Sequence, residues 1–104
     1  MDDLPESDRE RLFEISSVLA STDDPELIDG FLLSILTATE AQNIASRWEL
    51  VKLMDRGVSQ RKIAERLGIS LCKITRGSKE LKKEDSPFCR MIRIYDEQVA
   101  EGNR

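Results

Sequence analysis

Residues 59–78, SQRKIAERLGISLCKITRGS, constrain the fold more than any other stretch of the chain. Ile63, Ala64, Leu67, Ile69 and Ile74 fall where two short crossing helices need apolar packing. Ala64 is small at the point where the second helix must come close. Gly68 sits in the turn between them, where a positive φ is open to glycine without strain. Ser70 is placed to cap the second helix, whose exposed N-terminal half then presents Leu71, Cys72, Lys73 and Thr75. The pattern predicts a helix-turn-helix over about 59–82.

Such a unit lays the N-terminal half of its second helix in the major groove, while the first helix meets the backbone. Gln60, Arg61 and Lys62 open the first helix, and Arg66, Lys79, Lys82 and Lys83 add phosphate-seeking charge. The expected partner is double-stranded operator DNA, met by Gln60, Arg61, Ser70, Leu71, Cys72, Lys73, Thr75, Arg76, Lys79, Lys82 and Lys83. A pair of solvated helices with basic exteriors has the same composition.

A formal net charge of −4 argues against DNA only until it is divided. Residues 1–43 carry −9, residues 44–83 carry +7 and residues 84–104 carry −2. Local charge decides whether phosphates are attracted, because screening limits its reach to a Debye length of about 10 Å. The acidic flanks are expected to weaken indiscriminate binding. A helix-turn-helix serving protein contacts alone is disfavoured by the +7 segment.

The rest of the chain reads as helix, with no strand-like alternation and no repeat. The 104 residues suit one domain, 1–104, with a helix over about 6–21 carrying Leu12, Phe13, Ile15, Val18 and Leu19. Asp24 caps a second helix, about 25–35, with Pro25 at its first position. Thr37 and Glu40 form a capping-box pattern opening a third, which runs to about Asp55 and ends before Gly57. A fourth covers about 59–66, a fifth about 70–82, and a last begins near 87 after EDSP. The second and third are apolar around most of their girth, which predicts burial against a second copy of the chain. The alternative is a monomer with an apolar patch.

Enzyme chemistry is not expected. There is no histidine, and no Gly-rich phosphate loop or nucleophile elbow appears. Cys72 and Cys89 are too far apart for a CxxC metal site and read as thiols of a reducing cytoplasm. Cys72 reads as a small apolar contact, with redox control the alternative. No cofactor or metal is implied. The N-terminus lacks the basic and apolar regions of a signal peptide, and the longest apolar run, FLLSIL at 31–36, is too short for a membrane span. A cytoplasmic location without a membrane partner is expected.

Leu36-Thr37, Ser46-Arg47, the RG and SQR of residues 56–61, and ITRGS at 74–78 resemble the tryptophan repressor family. The resemblance runs over roughly 27–83, and ITRGS is its most specific element. It implies an all-α, six-helix fold, an intertwined homodimer and L-tryptophan as corepressor. Arg47 and Arg76 would then face the two sides of the indole, with Arg76 also on the carboxylate. Val51 and Gly77 would line the ring's cavity, and the main-chain carbonyls of Ser34, Leu36 and Thr37 from the partner subunit would receive the ammonium. Residue chemistry agrees in part. Arg47 and Val51 share a helix face at i,i+4, guanidinium planes stack on rings, and Gly77 leaves room for one. Taken alone, these residues also read as surface arginines, a core valine and a helix-loosening glycine.

Glu80 departs from the family pattern, in which a serine lies near the ammonium. Four residues after Arg76, it forms an intrahelical ion pair, binds the ammonium, or competes with the ligand for Arg76. The expected function is therefore a tryptophan-gated repressor on an inverted-repeat operator. The alternative is a ligand-independent DNA-binding protein of the same fold.

Overall fold

The computed structural model describes residues 3–70, 74, 78, 79 and 86–102. Among them the regular elements are α-helices: α1 (Glu6–Ala20), α2 (Pro25–Ile35), α3 (Ala38–Asp55), α4 (Gln60–Leu67) and α5 (Pro87–Ala100). They group into two compact units, Met1–Ala41 and Gln42–Arg104.

In the N-terminal unit the helix ends are set by local chemistry. The Pro5 carbonyl accepts from the amides of Asp8 and Arg9 at 3.1 and 3.0 Å, and Glu6 and Asp8 place negative charge at the positive end of α1. Asp24 caps α2 as expected, its Oδ1 accepting from the amides of Glu26 and Leu27 at 3.1 and 3.3 Å. Pro25 follows in the first turn, where its missing N–H costs nothing. No residue of α1 or α2 is buried. Phe13 and Val18 of α1 and Leu27, Leu33 and Ile35 of α2 are all more than half exposed.

α3 opens on the expected capping box. The Thr37 amide donates to Glu40 Oε1 at 2.8 Å, and the Glu40 amide donates to Thr37 Oγ1 at 3.1 Å. Its other end closes as a Schellman motif: Val58 N–H donates to the Leu53 carbonyl and Gly57 N–H to that of Met54, both at 3.0 Å. Gly57 supplies the positive φ, +83°, that the motif requires.

The core of the C-terminal unit is Leu50, Val51 and Leu53 of α3, Ile63 of α4, Ile74, and Ile92 of α5. Trp48, Met54, Val58, Ala64, Leu67, Ile69 and Phe88 pack around it, half-buried. Trp48 therefore sits at the core's rim. Ser86 starts α5 from a buried position, its Oγ accepting the Cys89 amide at 3.3 Å.

The predicted boundaries and the observed ones differ by a residue at most. The first helix ends at Ala20, where 21 was expected, and the fourth spans Gln60–Leu67, where about 59–66 was expected. Ser59 stands outside α4 because it is the cap, its Oγ accepting from Lys62 N at 3.2 Å. The predicted fifth helix lies mostly outside the described residues. Of its positions, Ile74, Ser78 and Lys79 are helical.

Candidate nucleic-acid interface

The chain reaches the candidate interface through two glycine-punctuated turns. After Gly57, the Ser59 cap starts α4 within two residues, and Gly68 ends it in the left-handed region at φ +62°. The Gly68 amide donates to the Ala64 carbonyl at 2.9 Å, closing the helix. Beyond the turn, Ile74 N–H donates to the Ser70 carbonyl at 3.4 Å, the separation of an α-helical bond. That fits Ser70 as the cap of the following helix, since a cap's carbonyl takes the first intrahelical bond.

α4 divides its residues cleanly. Ile63 has no exposed surface, and Ala64 and Leu67 are half-buried. Gln60, Arg61, Lys62, Glu65 and Arg66 are exposed, so three of the five outward side chains are cationic. Ile74, also without exposed surface, joins the same core. Lys79 is exposed, as a phosphate contact must be. Leu71, Cys72, Lys73, Thr75, Arg76, Gly77, Glu80, Lys82 and Lys83 lie outside the described residues.

The other ligand candidates fall on two elements. Arg47 is exposed on α3, and Val51, one turn later, is in the core with 2% of its surface exposed. Ser34 and Thr37 are exposed and Leu36 is half-buried at the end of α2. The last four carbonyls of a helix lack intrahelical donors, and they sit at the negative end of its dipole. The Ser34 carbonyl belongs to this group, whereas Leu36 is the cap that follows α2, with its backbone extended at ψ 145°. The Thr37 carbonyl already accepts the Ala41 amide at 2.9 Å, leaving one lone pair. A shallow groove at the start of α1 is lined by Asp3, Leu4, Pro5, Asp8, Arg11, Leu12 and Ile15. Its Asp8 and Arg11 pair with each other at 3.3 Å.

One cluster escaped sequence reasoning. Tyr95 of α5 receives Lys52 of α3 over its ring, with Nζ 4.6 Å from the centroid, and Arg56, the residue after α3, pairs with Asp96 at 3.5 Å. These partners are some forty residues apart, so no periodicity links them.

Against known families, the sequence profile described as the Trp repressor protein matches residues 10–95. The chain belongs to the Trp repressor family. The Trp repressor profile spans both compact units, and the family is one of transcription regulators, not of enzymes. Relatives carry the name "Trp operon repressor homolog". That of Vibrio parahaemolyticus is 29% identical over 89 residues, 85% of this chain and 86% of the relative. That of Xylella fastidiosa is 36% identical over 76 residues, 71% of this chain and 83% of the relative. That of Chlamydia caviae is 40% identical over 65 residues, 62% of this chain, and the match spans 64% of that relative's length. No solved structure gives a significant match. Among the described residues, no helix is long and apolar enough to cross a membrane.

Proposed function

We propose that this Trp repressor family member is a dimeric, cytoplasmic repressor that binds an inverted-repeat operator when L-tryptophan is present. The observation that carries the reading is the two-faced α4, with Ile63 in the core and Arg61, Lys62 and Arg66 outside, set between Gly57 and Gly68. It presents cations on a capped helix immediately before the segment that carries Lys73 and Thr75. Arg61, Lys62, Lys79, Lys82 and Lys83 anchor to phosphates, and Lys73 and Thr75 read base edges.

The dimer follows from α2, which is apolar yet has no buried residue. A second copy removes Leu27, Leu33 and Ile35 from water, each such side chain contributing roughly 1.5–3 kcal/mol. Both compact units then belong to one domain completed by the partner, with the family match running through both.

Tryptophan is the ligand that the chemistry of Arg47 and ITRGS suits. The exposed Arg47 stacks on one face of the indole and Arg76 on the other, with Arg76 also pairing the carboxylate. Val51 supplies the floor one turn from Arg47, and Gly77 the space for the ring. The ammonium goes to carbonyls at the end of the partner's α2, at Ser34, Leu36 and Thr37. Glu80 tunes this site, by holding the ammonium or by competing for Arg76.

Calorimetry tests the ligand. One tryptophan site per chain is expected, and operator DNA should tighten tryptophan binding by the same factor as tryptophan tightens operator binding. Gly77→Leu should abolish the response while leaving the dimer assembled. In Glu80→Ser, tighter tryptophan binding identifies Glu80 as a competitor, and weaker binding as an ammonium ligand. No heat at millimolar tryptophan, with operator binding intact, would establish the ligand-independent reading.

A further inference from the structure

The cluster around Tyr95 joins α3 to α5 side chain by side chain. Trp48 stacks on Phe88 with centroids 5.8 Å apart and meets Tyr95 edge-on at 6.0 Å. Lys52 Nζ lies 4.6 Å from the Tyr95 centroid, and the Arg56 guanidinium carbon 6.0 Å. Trp48, Lys52 and Arg56 recur every four residues, so the contacts run down one stripe of α3 to its end. Two cations near one ring repel each other, and two carboxylates offset that repulsion. Glu49 bonds Lys52 Nζ at 3.1 Å, and Asp96 reaches Arg56 Nη2 at 3.5 Å.

The position of Arg56 gives the cluster its meaning. It is the last residue before Gly57, and only Gly57, Val58 and Ser59 separate it from α4. The Leu53 and Met54 carbonyls, which close this turn, lie within the last turn of α3 that Lys52 and Arg56 hold. With so short a connection, any rotation or fraying of the end of α3 carries α4 with it. A lone exposed ion pair such as Arg56–Asp96 does little to prevent that. A ring that holds two cations, braced by Trp48, adds direction as well as attraction.

We propose that Tyr95, with Asp96 beside it, is a positioning residue for the DNA-binding element. It holds Arg56 and so fixes the direction in which the chain enters α4. The proposal rests on the DNA-binding reading for its consequence, but not for the hold itself.

Two measurements on the full chain test it, using Tyr95→Ala, Tyr95→Phe and Asp96→Asn. The first is amide hydrogen exchange without DNA at Gly57, Val58 and Ile63, whose N–H groups are bonded across the turn and at the start of α4. Tyr95→Ala should speed exchange there about tenfold, Tyr95→Phe by less than about twofold, and Asp96→Asn by an intermediate amount, with the amides of Leu50, Val51 and Ile92 unchanged. The second is binding to a preferred and an unrelated duplex across a salt series. Tyr95→Ala should lose about tenfold on the preferred duplex alone and keep its salt slope, because no phosphate contact is removed. Unchanged exchange at the turn would overturn the proposal, as would equal acceleration throughout the core, which marks general destabilisation. A slope reduced by about one would overturn it too. Absence of salt-dependent DNA binding in the wild type, with exchange as expected, would overturn the DNA reading and support the hold on α4.

Discussion

Gly68 shows how a single residue governs the interface. A Cβ there would meet nothing within 4 Å, so what favours glycine is the φ of +62° and not space. Gly68→Ala should therefore lower stability by about 1–2 kcal/mol in urea denaturation, and Gly68→Asn by less, since asparagine tolerates this region. An unchanged midpoint in both would contradict the turn. Gly57, Gly68, the Asp24 cap and the Thr37–Glu40 box were all legible in the sequence. Each depends on groups a few residues apart, or on one residue's own conformational freedom. The Arg56–Asp96 pair joins positions 40 residues apart and depends on how α5 lies along α3, which no local pattern encodes.

Among elements, α4 was the most legible, and for α2 the bounds and the cap were legible but not what covers the helix. For α4, the apolar spacing gave the core side and the remaining residues the charged side. Ile63→Ala should cost about 2–5 kcal/mol of stability, because it empties a fully buried site. Arg61→Ala should leave stability nearly unchanged. It should weaken binding equally on all duplexes and lower the salt slope by about one. Equal effects of the two variants on stability would contradict the assignment of faces. For Lys73 and Thr75, in the segment after Gly68, substitution should instead change which sequences are preferred, as selection from random duplexes would read. In α2 the apolar girth predicted burial against a second copy, and the helix is exposed within the chain, as that reading and the monomer with an apolar patch both require. Periodicity identifies residues that leave water. It does not identify the molecule that covers them.

At the scale of the whole molecule, the proposed reading divides the labour between the acidic 1–43 segment, for association, and the basic 44–83 segment, for DNA. Sedimentation equilibrium at micromolar concentration should report about twice the 11.9 kDa chain mass. Leu33→Glu should shift the protein toward monomer by placing a charge on the exposed face of α2. A wild-type monomer would remove the partner's carbonyls from the ligand site. Whether tryptophan licenses recognition of a two-fold operator is decided by selecting from a random duplex library with and without L-tryptophan. With the ligand, the selected DNA should be an inverted repeat whose half-site centres lie one helical turn apart, about 34 Å, the spacing general to helix-turn-helix dimers, Trp repressors among them. Without it, enrichment should be weak. Equal enrichment of the same sequence in both selections, or of none in either, would contradict the claim.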